Sequence, residues 1–553
     1  LFLASAVFRA IFHRLPSRQR GGLPTLLCTV LCALLATACA SLPAPAPKTA
    51  SSAFRAPEQT TLGRIALDSS PKAGASGFQL ETTGDQAFDD RLTLIDRAER
   101  SLDLQYYIIE RDDSVHTLFT HVRQAARRGV RVRLLVDDMN TVGLDLAFLR
   151  IDALPNIEVR IFNPFPAARF SIASRFLASL GDFRRVSRRM HNKMLIADNA
   201  IAITGGRNLG DQYFVRNPDN NFVDLDIVSA GPVVRQLSAS FDRYWNDELA
   251  YPIKTIAAAP GTSEVDDAAR QGPAALPPPE SLRSQLGHGR LDFTWAPVTL
   301  LADRPSKITS KTSHAPPAPT AEPGPSVPTA APTVASTPAP AAASDELIID
   351  DIATLIRSAQ HELVIISPYL VPGQRGVALL HELTARGVKI RILTNSLAST
   401  DAPAVHIGYA RYRPQLLALG VELYEQRPLI EGQSRHFGRF GASRSSLHTK
   451  ALIIDGKMLF VGSMNMDPRS AYENTELGLV LRSELMARQV LKLFNEESSR
   501  FSYRVQLSAD GRQLIWSTQT KGQHQQWLDE PGAGLGLKLE LLLLRPFAPE
   551  ELL

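Results

Sequence analysis

Two stretches of the chain carry one polar set at one set of spacings. Met190–Asn208 reads MHNKMLIADNAIAITGGRN, and Leu447–Asn465 reads LHTKALIIDGKMLFVGSMN. Each has His-x-Lys, an Asp five residues beyond the Lys and an Asn seventeen beyond the His: His191, Lys193, Asp198, Asn208, then His448, Lys450, Asp455, Asn465. A single such match is weak, since lone histidines are usually structural or solvated. A duplication kept for packing explains the repeated Leu, Ile and Val, but not a polar set at the same offsets twice. The residues on offer are two imidazoles, two ammonium groups and two amides, and that set suits a phosphodiester. Lysines neutralise charge developing on phosphoryl oxygens, and asparagines donate to them. One histidine attacks phosphorus while the other protonates the leaving alcohol. Ser-His-Asp spacing and metal-ligand clusters are missing from the sequence. The lysines supply the charge a metal would, so no metal and no cofactor is expected. Ser463 adds a hydroxyl to the second set. Its counterpart Gly206 offers only backbone to the substrate, so the half-sites are chemically unequal.

The elements that must hold these residues are legible around them. Between Lys and Asn each copy is apolar on both sides of one turn, Asp-Asn or Asp-Gly, which predicts a strand, a tight turn and a second strand. On a strand, residues i and i+2 share a face, so His and Lys of each copy point together. Upstream, Asp89–Glu99 predicts an amphipathic helix, Ser101–Ile109 a strand, Val115–Arg128 a helix closed by Gly129, Val130–Val136 a strand and Ile157–Phe162 a third. In the second half Asp345–Ala359, Glu362–Ser367, Gly376–Ala385 and Val388–Thr394 repeat helix, strand, helix, strand; AARRGVRVRLLVDD and LTARGVKIRILTNS are one element twice. A helix over Gly408–Leu419 and a strand over Val421–Tyr424 follow. The alternation implies an α/β fold with a largely parallel or mixed sheet and helices on its faces. Asp137 and Asp138 are adjacent on an extended chain and face opposite ways, which argues against a metal pair and for a turn or support at the cleft rim. Leu237, Phe241 and Trp245 read as core, as do Trp516 and Trp527.

These motifs resemble those of the phospholipase D superfamily, whose mark is a doubled His-Lys-Asp motif; the resemblance runs from about Thr83 to the C-terminus. It implies two duplicated α/β/α domains with mixed sheets and one active site at their interface, working through a phosphohistidine. It implies His191 as nucleophile and His448 as general acid/base, roles that the residues alone leave interchangeable. Asp198 and Asp455 are then expected to orient neighbouring groups within each half. Glu476, 28 residues after His448, stands where similar proteins place an acid that holds the histidine across the cleft. Matching DLDIV to ELGLV gives that role in the first copy to Asp224. The order of MHNK, GGRNLGDQYF, the DLDI strand and the GPVV helix resembles a bacterial cardiolipin-synthase-like branch, as does Asp303-x-Pro305-x-Lys307. The implied reaction is phosphatidyl transfer to phosphatidylglycerol from a second phospholipid, phosphatidylethanolamine being one candidate. Hydrolysis to phosphatidic acid, nucleic-acid cleavage and a non-enzymatic tethered binder are the alternatives.

Composition bears on that choice. Of 60 basic and 56 acidic residues, Arg9, Arg14, Arg18 and Arg20 lie in the first 39, leaving 56 against 56 beyond them. A neutral body is not that of a general nucleic-acid binder. All three cysteines, Cys28, Cys32 and Cys39, lie in a stretch that runs from basic to apolar and ends LATAC. It reads as a secretory signal resembling a bacterial lipobox. Cys39 is thus a lipidation candidate, and Ala40 after it favours the outer membrane. Residues 1–39 form this leader, 40–82 a tether and extension, 83–257 the first domain, 258–343 a Pro/Ala-rich linker region, 344–500 the second domain and 501–553 a C-terminal extension. Ala40–Gln59 reads as flexible, and Ala315–Ala343 as disordered. The expected partners are phospholipids and a membrane surface; nucleic acid is not expected. Phe162–Phe183, with arginines in and just after it, has two readings: a solvated helix face, or a lid meeting anionic lipid.

Overall fold

The computed structural model describes residues 42, 47–72, 74–257, 281–310, 347–428, 444–520 and 523–544. Cys39 with the leader, and the low-complexity stretch Ala315–Ala343, lie outside them. Among the described residues no helix is long and apolar enough to cross a membrane.

Each half is built on a mixed sheet with the same central order. In the first, strands run Asp226–Ala230, Ile201–Gly205, Met194–Ala197, Ser101–Tyr106, Arg131–Asp137, Ile157–Phe162. In the second they run Leu477–Arg482, Met458–Gly462, Ala451–Ile454, Glu362–Ile366, Lys389–Asn395, Glu422–Gln426. The last three of each set are parallel and the others antiparallel. The parallel strands are connected by helices that bury one face: Asp113–Arg127, capped by Asp112, packs Val115, Leu118, Phe119 and Val122 inward. The matching helix Gly373–Ala385 buries Leu380 and Leu383. These are two duplicated α/β/α domains with mixed sheets.

The motif hairpins form as their turns dictate. Asp198 and Asn199, then Asp455 and Gly456, have φ of 54°, 52°, 53° and 62°, the left-handed pair that a two-residue hairpin turn requires. Asp, Asn and Gly reach this region at low cost.

The halves are welded together. One apolar cluster takes Phe162, Met194 and Trp245 from the first half and Ile366, Val461 and Phe494 from the second. Asn220–Val223 of the first half pairs in parallel with Arg444–Leu447 of the second.

Three stretches add to the sequence reading. Lys48 onward is docked, not a free tether: Arg160 and Arg133 donate to the carbonyls of Thr49 and Ser51 at 2.8 and 3.1 Å. Within 258–343, the short ordered segment that the sequence places at Leu291–Leu301 forms two edge strands, Thr294–Ala296 completing the first sheet and Val298–Ala302 the second. Ser502–Leu507, Leu514–Thr520 and Gln523–Trp527 extend the second sheet. There Trp516 Nε1 donates to Glu425 at 2.9 Å, so it is a core residue.

Candidate active site

The two polar sets meet where the halves join. His191 N donates to the carbonyl of Thr475 at 2.9 Å, and His448 N donates to that of Val223 at 2.8 Å. Thr475 and Val223 immediately precede Glu476 and Asp224. The backbone crossing therefore delivers each acid to the opposite histidine. His191 Nδ1 lies 2.9 and 3.0 Å from the Glu476 oxygens; His448 Nδ1 lies 2.6 Å from Asp224 Oδ2. With Nδ1 donating to a carboxylate, each ring keeps Nε2 for the reaction. Lys193 and Lys450 each donate to the carbonyl of the histidine two residues before; both His-Lys pairs lie just ahead of the strands Met194–Ala197 and Ala451–Ile454 rather than in them.

The strands' C-terminal ends hold the residue before each histidine. Asp137 Oδ2 accepts from Met190 N at 2.9 Å, and Asn395 Oδ1 accepts from Leu447 N at 2.8 Å. Strand register makes these equivalent positions, since Val132 faces Leu102 and Ile390 faces Leu363. Asp137 is thus a support at the cleft. Asn395 stood in the repeated VDD/TNS turn, where alignment of the repeats could have found it. Aromatic rings close the sides: Tyr107 is 5.0 Å from His191, and Tyr213 and Phe222 are 5.4 and 4.9 Å from His448, centroid to centroid. No sequence signal separated these rings from core.

The remaining residues fall into distinct places. Asn208 accepts from Ile108 N and donates to the Tyr213 hydroxyl, both at 3.1 Å. Asn465 has a buried Oδ1 with no partner, a polar group left for a ligand. Ser463 donates to Glu476 Oε2 and accepts from Leu477 N at 3.0 Å, so its oxygen serves Glu476. At Gly206 a Cβ would fall 2.1 Å from Asp224 Oδ1. The shorter acid fills the space that a side chain needs there. Asp198 and Asp455 stand apart from the reacting groups. Asp198 accepts from the backbone N–H of Glu99, Arg100 and Ser101, and Asp455 from those of Gln360, His361 and Glu362. Each fastens its hairpin turn to the start of the neighbouring strand. Asp303, from the inter-sheet crossing, accepts from Glu476 N at 3.0 Å and from Lys307 at 2.8 Å.

Burial sets the charges. Lys193 is pushed down to about 7 and Lys450 to about 8 by desolvation, which nearby acids only partly offset. Desolvation lowers His191 to about 4 and, with the two lysines, His448 well below its usual value. The acids diverge. Burial raises Asp224 to about 7. It also works to raise Glu476, but His191, Lys193 and the Ser463 hydroxyl outweigh it and hold that carboxyl below the usual range. Among the described residues no group of His, Cys, Asp and Glu could hold a metal ion. The positive charge of the cleft comes from its lysines.

A mirrored pair of His-Lys sets, each histidine backed by an acid from the opposite half, defines a class of phosphodiester-processing enzymes. The family model described as cardiolipin synthase, PLD-like domain, matches residues 92–245 and 352–497, and the chain belongs to this phospholipase D-like family. It is 38% identical over 450 residues to cardiolipin synthase C of Escherichia coli (strain K12), covering 79% of this chain and 87% of that one. It is 25% identical over 429 residues to a cardiolipin synthase of Geobacillus kaustophilus (strain HTA426), covering 77% and 67%. The solved structure of phosphatidylserine synthase from Haemophilus influenzae Rd KW20 covers 89% of this chain and all of its own, with a TM-score of 0.52 at 12% identity, which shows a shared fold. The chain is a phospholipase D/cardiolipin-synthase-like enzyme.

Proposed function

We propose that the enzyme transfers a phosphatidyl group to phosphatidylglycerol, forming cardiolipin, with a second phospholipid such as phosphatidylethanolamine as donor. The observation that carries the mechanism is the inequality of the crossed pairs. Glu476 stays ionised and keeps the Nδ1 proton of His191 in place, leaving Nε2 a free lone pair. His191 Nε2 attacks phosphorus, an N–P bond forms and the bond to the leaving alcohol breaks. The Asp224–His448 pair, whose acid has the higher proton affinity, gives that alcohol its proton. His448 then takes the proton of the acceptor hydroxyl, whose oxygen attacks phosphorus and releases His191. Lys193 and Lys450 carry the charge on the phosphoryl oxygens, and the Asn465 amide N–H donates to them.

The lipid reading is supported by the relatives named cardiolipin synthase. An envelope location follows from the leader with Cys39 as its lipid-bearing residue; a tether would concentrate the enzyme near lipid alcohols. The segment 162–189 meets a membrane differently from the sequence expectation. Arg169 and Arg175 bond Asp138, Arg188 bonds Glu473 and Arg189 bonds Asp137, so these arginines are internal. Its outward face carries Phe170 at 80% exposure with Leu177 and Phe183 at 44% and 42%, beside the exposed Arg184, an apolar edge that suits the acyl boundary.

The test incubates purified enzyme with labelled phosphatidylethanolamine and phosphatidylglycerol, singly and together, beside DNA. Lipid mass spectrometry should find cardiolipin only when phosphatidylglycerol is present. Phosphatidic acid as the sole product at every acceptor concentration would make it a phospholipase D, and DNA cleavage without lipid turnover a nuclease.

A further inference from the structure

On the second half's side of the cleft, two polar residues remain outside the mechanism. Tyr369 lies just beyond the strand Glu362–Ile366, and its hydroxyl donates to Asp401 Oδ2 at 2.7 Å. Asp401 ends the loop after Lys389–Asn395. That loop is fastened to the residues preceding His448. Asn395 Nδ2 donates to Leu447 O at 2.9 Å and its Oδ1 accepts from Leu447 N at 2.8 Å. Ser446 Oγ donates to Ser399 O at 2.5 Å. Asp401 is therefore held in register with His448. The first half does not repeat the pair. The bridges Ile109–Leu209 and Leu370–Met466 are equivalent, which sets Ile108 where Tyr369 stands.

Asp401 has an exposed surface and Tyr369 a partly exposed one. Burial nevertheless raises both, and Asp401 and Lys450 act on each other's charge. Asp401 thus stands near enough to Lys450 for each charge to feel the other, with surface left for a ligand. A carboxylate there opposes the phosphate that Lys450 attracts, so phosphate binding does not account for it. Tyr369 supplies one donor to it. A carboxylate has about four acceptor positions, and what it can take from a ligand is a further donor.

The mechanism says where such a donor comes from. His448 handles the alcohol, and the departing and accepting alcohols occupy one place because the second step is the first reversed. Asp401 moves with His448, on the alcohol side and not with the phosphatidyl group. We propose that Asp401, oriented by Tyr369, is a specificity residue of this enzyme: it accepts a hydrogen bond from an ammonium or hydroxyl carried next to the reacting carbon of the alcohol. The inference rests on the proposed assignment of His448 to the alcohol. Ethanolamine and glycerol head groups both carry such a donor; a simple alkyl alcohol does not.

The experiment offers phosphatidylethanolamine micelles to the full enzyme with glycerol, ethanolamine or 1-propanol as competing soluble acceptors and reads product ratios by mass spectrometry. Wild type should favour glycerol and ethanolamine over 1-propanol by about 10- to 100-fold, the range of one hydrogen bond to a charged acceptor. Asp401→Leu should erase both preferences. Asp401→Asn, which keeps an acceptor without the charge, should erase chiefly the preference for ethanolamine and so separate the two donors. Tyr369→Phe, the mildest change, should weaken both, and thermal unfolding confirms that each variant is folded. Equal loss on all three alcohols, or no preference in wild type, overturns the proposal. If wild type transfers to no alcohol, the transferase reading fails on its own. The same subsite is then read on the leaving side, as hydrolysis of phosphatidylethanolamine against phosphatidylpropanol, where an unchanged ratio in Asp401→Leu overturns it.

Discussion

Glu476 belongs to the same half as His448, yet its carboxylate binds the imidazole of His191, 285 residues earlier, at 2.9 and 3.0 Å. Each half thus supplies the acid that the other half's histidine needs, and neither half holds a complete site. Glu476→Gln keeps the shape but removes the charge that fixes the His191 proton on Nδ1. Its kcat should fall about 10²-fold or more with folding intact, the size expected when a histidine loses its orienting partner. Turnover within threefold of wild type would show that His191 does not depend on Glu476.

In the proposed mechanism the covalent step falls on His191. Digests of enzyme labelled from a phospholipid donor and quenched in denaturant at alkaline pH should carry phosphate on His191, acid should release it, and His191→Ala should carry none. An adduct on His448 in wild type would exchange the two roles.

Gly206 is small because Asp224 occupies its side-chain space, with a Cβ falling 2.1 Å from the carboxylate oxygen. Gly206→Ala must displace Asp224 from His448, since the intervening contact is far inside van der Waals distance. Activity should drop at least about tenfold, as for other disrupted orienting partners. Ser463→Ala removes only one donor from Glu476 and should cost less. Assays of the two folded variants side by side check the order.

Lys193 and Lys450, lowered by burial to about 7 and about 8, lose charge as pH rises through those values in the free enzyme. A bound phosphate favours the ammonium form and raises both pKa values, so anion binding at about pH 8 should take up protons. Calorimetry with inorganic phosphate in buffers of different ionisation enthalpy reads the number. Uptake should shrink in Lys193→Met; proton release at this pH would contradict the direction of both shifts.

Asp198 accepts from three backbone amides at the start of a central strand. Asp198→Ala leaves those N–H groups without their acceptor and should cost about 2–4 kcal/mol of stability. Below the transition, the folded variant's kcat should stay within about threefold. Asp455→Ala should cost less, because Asp455 is itself partly exposed whereas Asp198 is buried. Denaturant melts with activity measured on the same samples separate the two effects.

The duplicated motifs, the hairpin turns and the strand–helix order are local features, set by period-2 and period-3.6 patterning and by residues that tolerate positive φ, so the sequence alone determined the two α/β halves and the polar set of each. It also held Asp224 and Glu476 at matching places in DLDIV and ELGLV, 33 residues after His191 and 28 after His448. Other features depended on distance in the chain rather than on pattern. Which acid meets which histidine is decided by the crossing of Thr475 onto His191 and Val223 onto His448, a contact between segments more than two hundred residues apart. Arg169, Arg175 and Arg189 read as part of a basic segment, but buried carboxylates at Asp137 and Asp138 draw them inward. Asp401 sits in a loop with no motif and acquires meaning only because Asn395 and Ser399 bind it to the strand that ends at His448. Local physics writes the elements into their own residues; the site is written between elements, where only packing can bring the residues together.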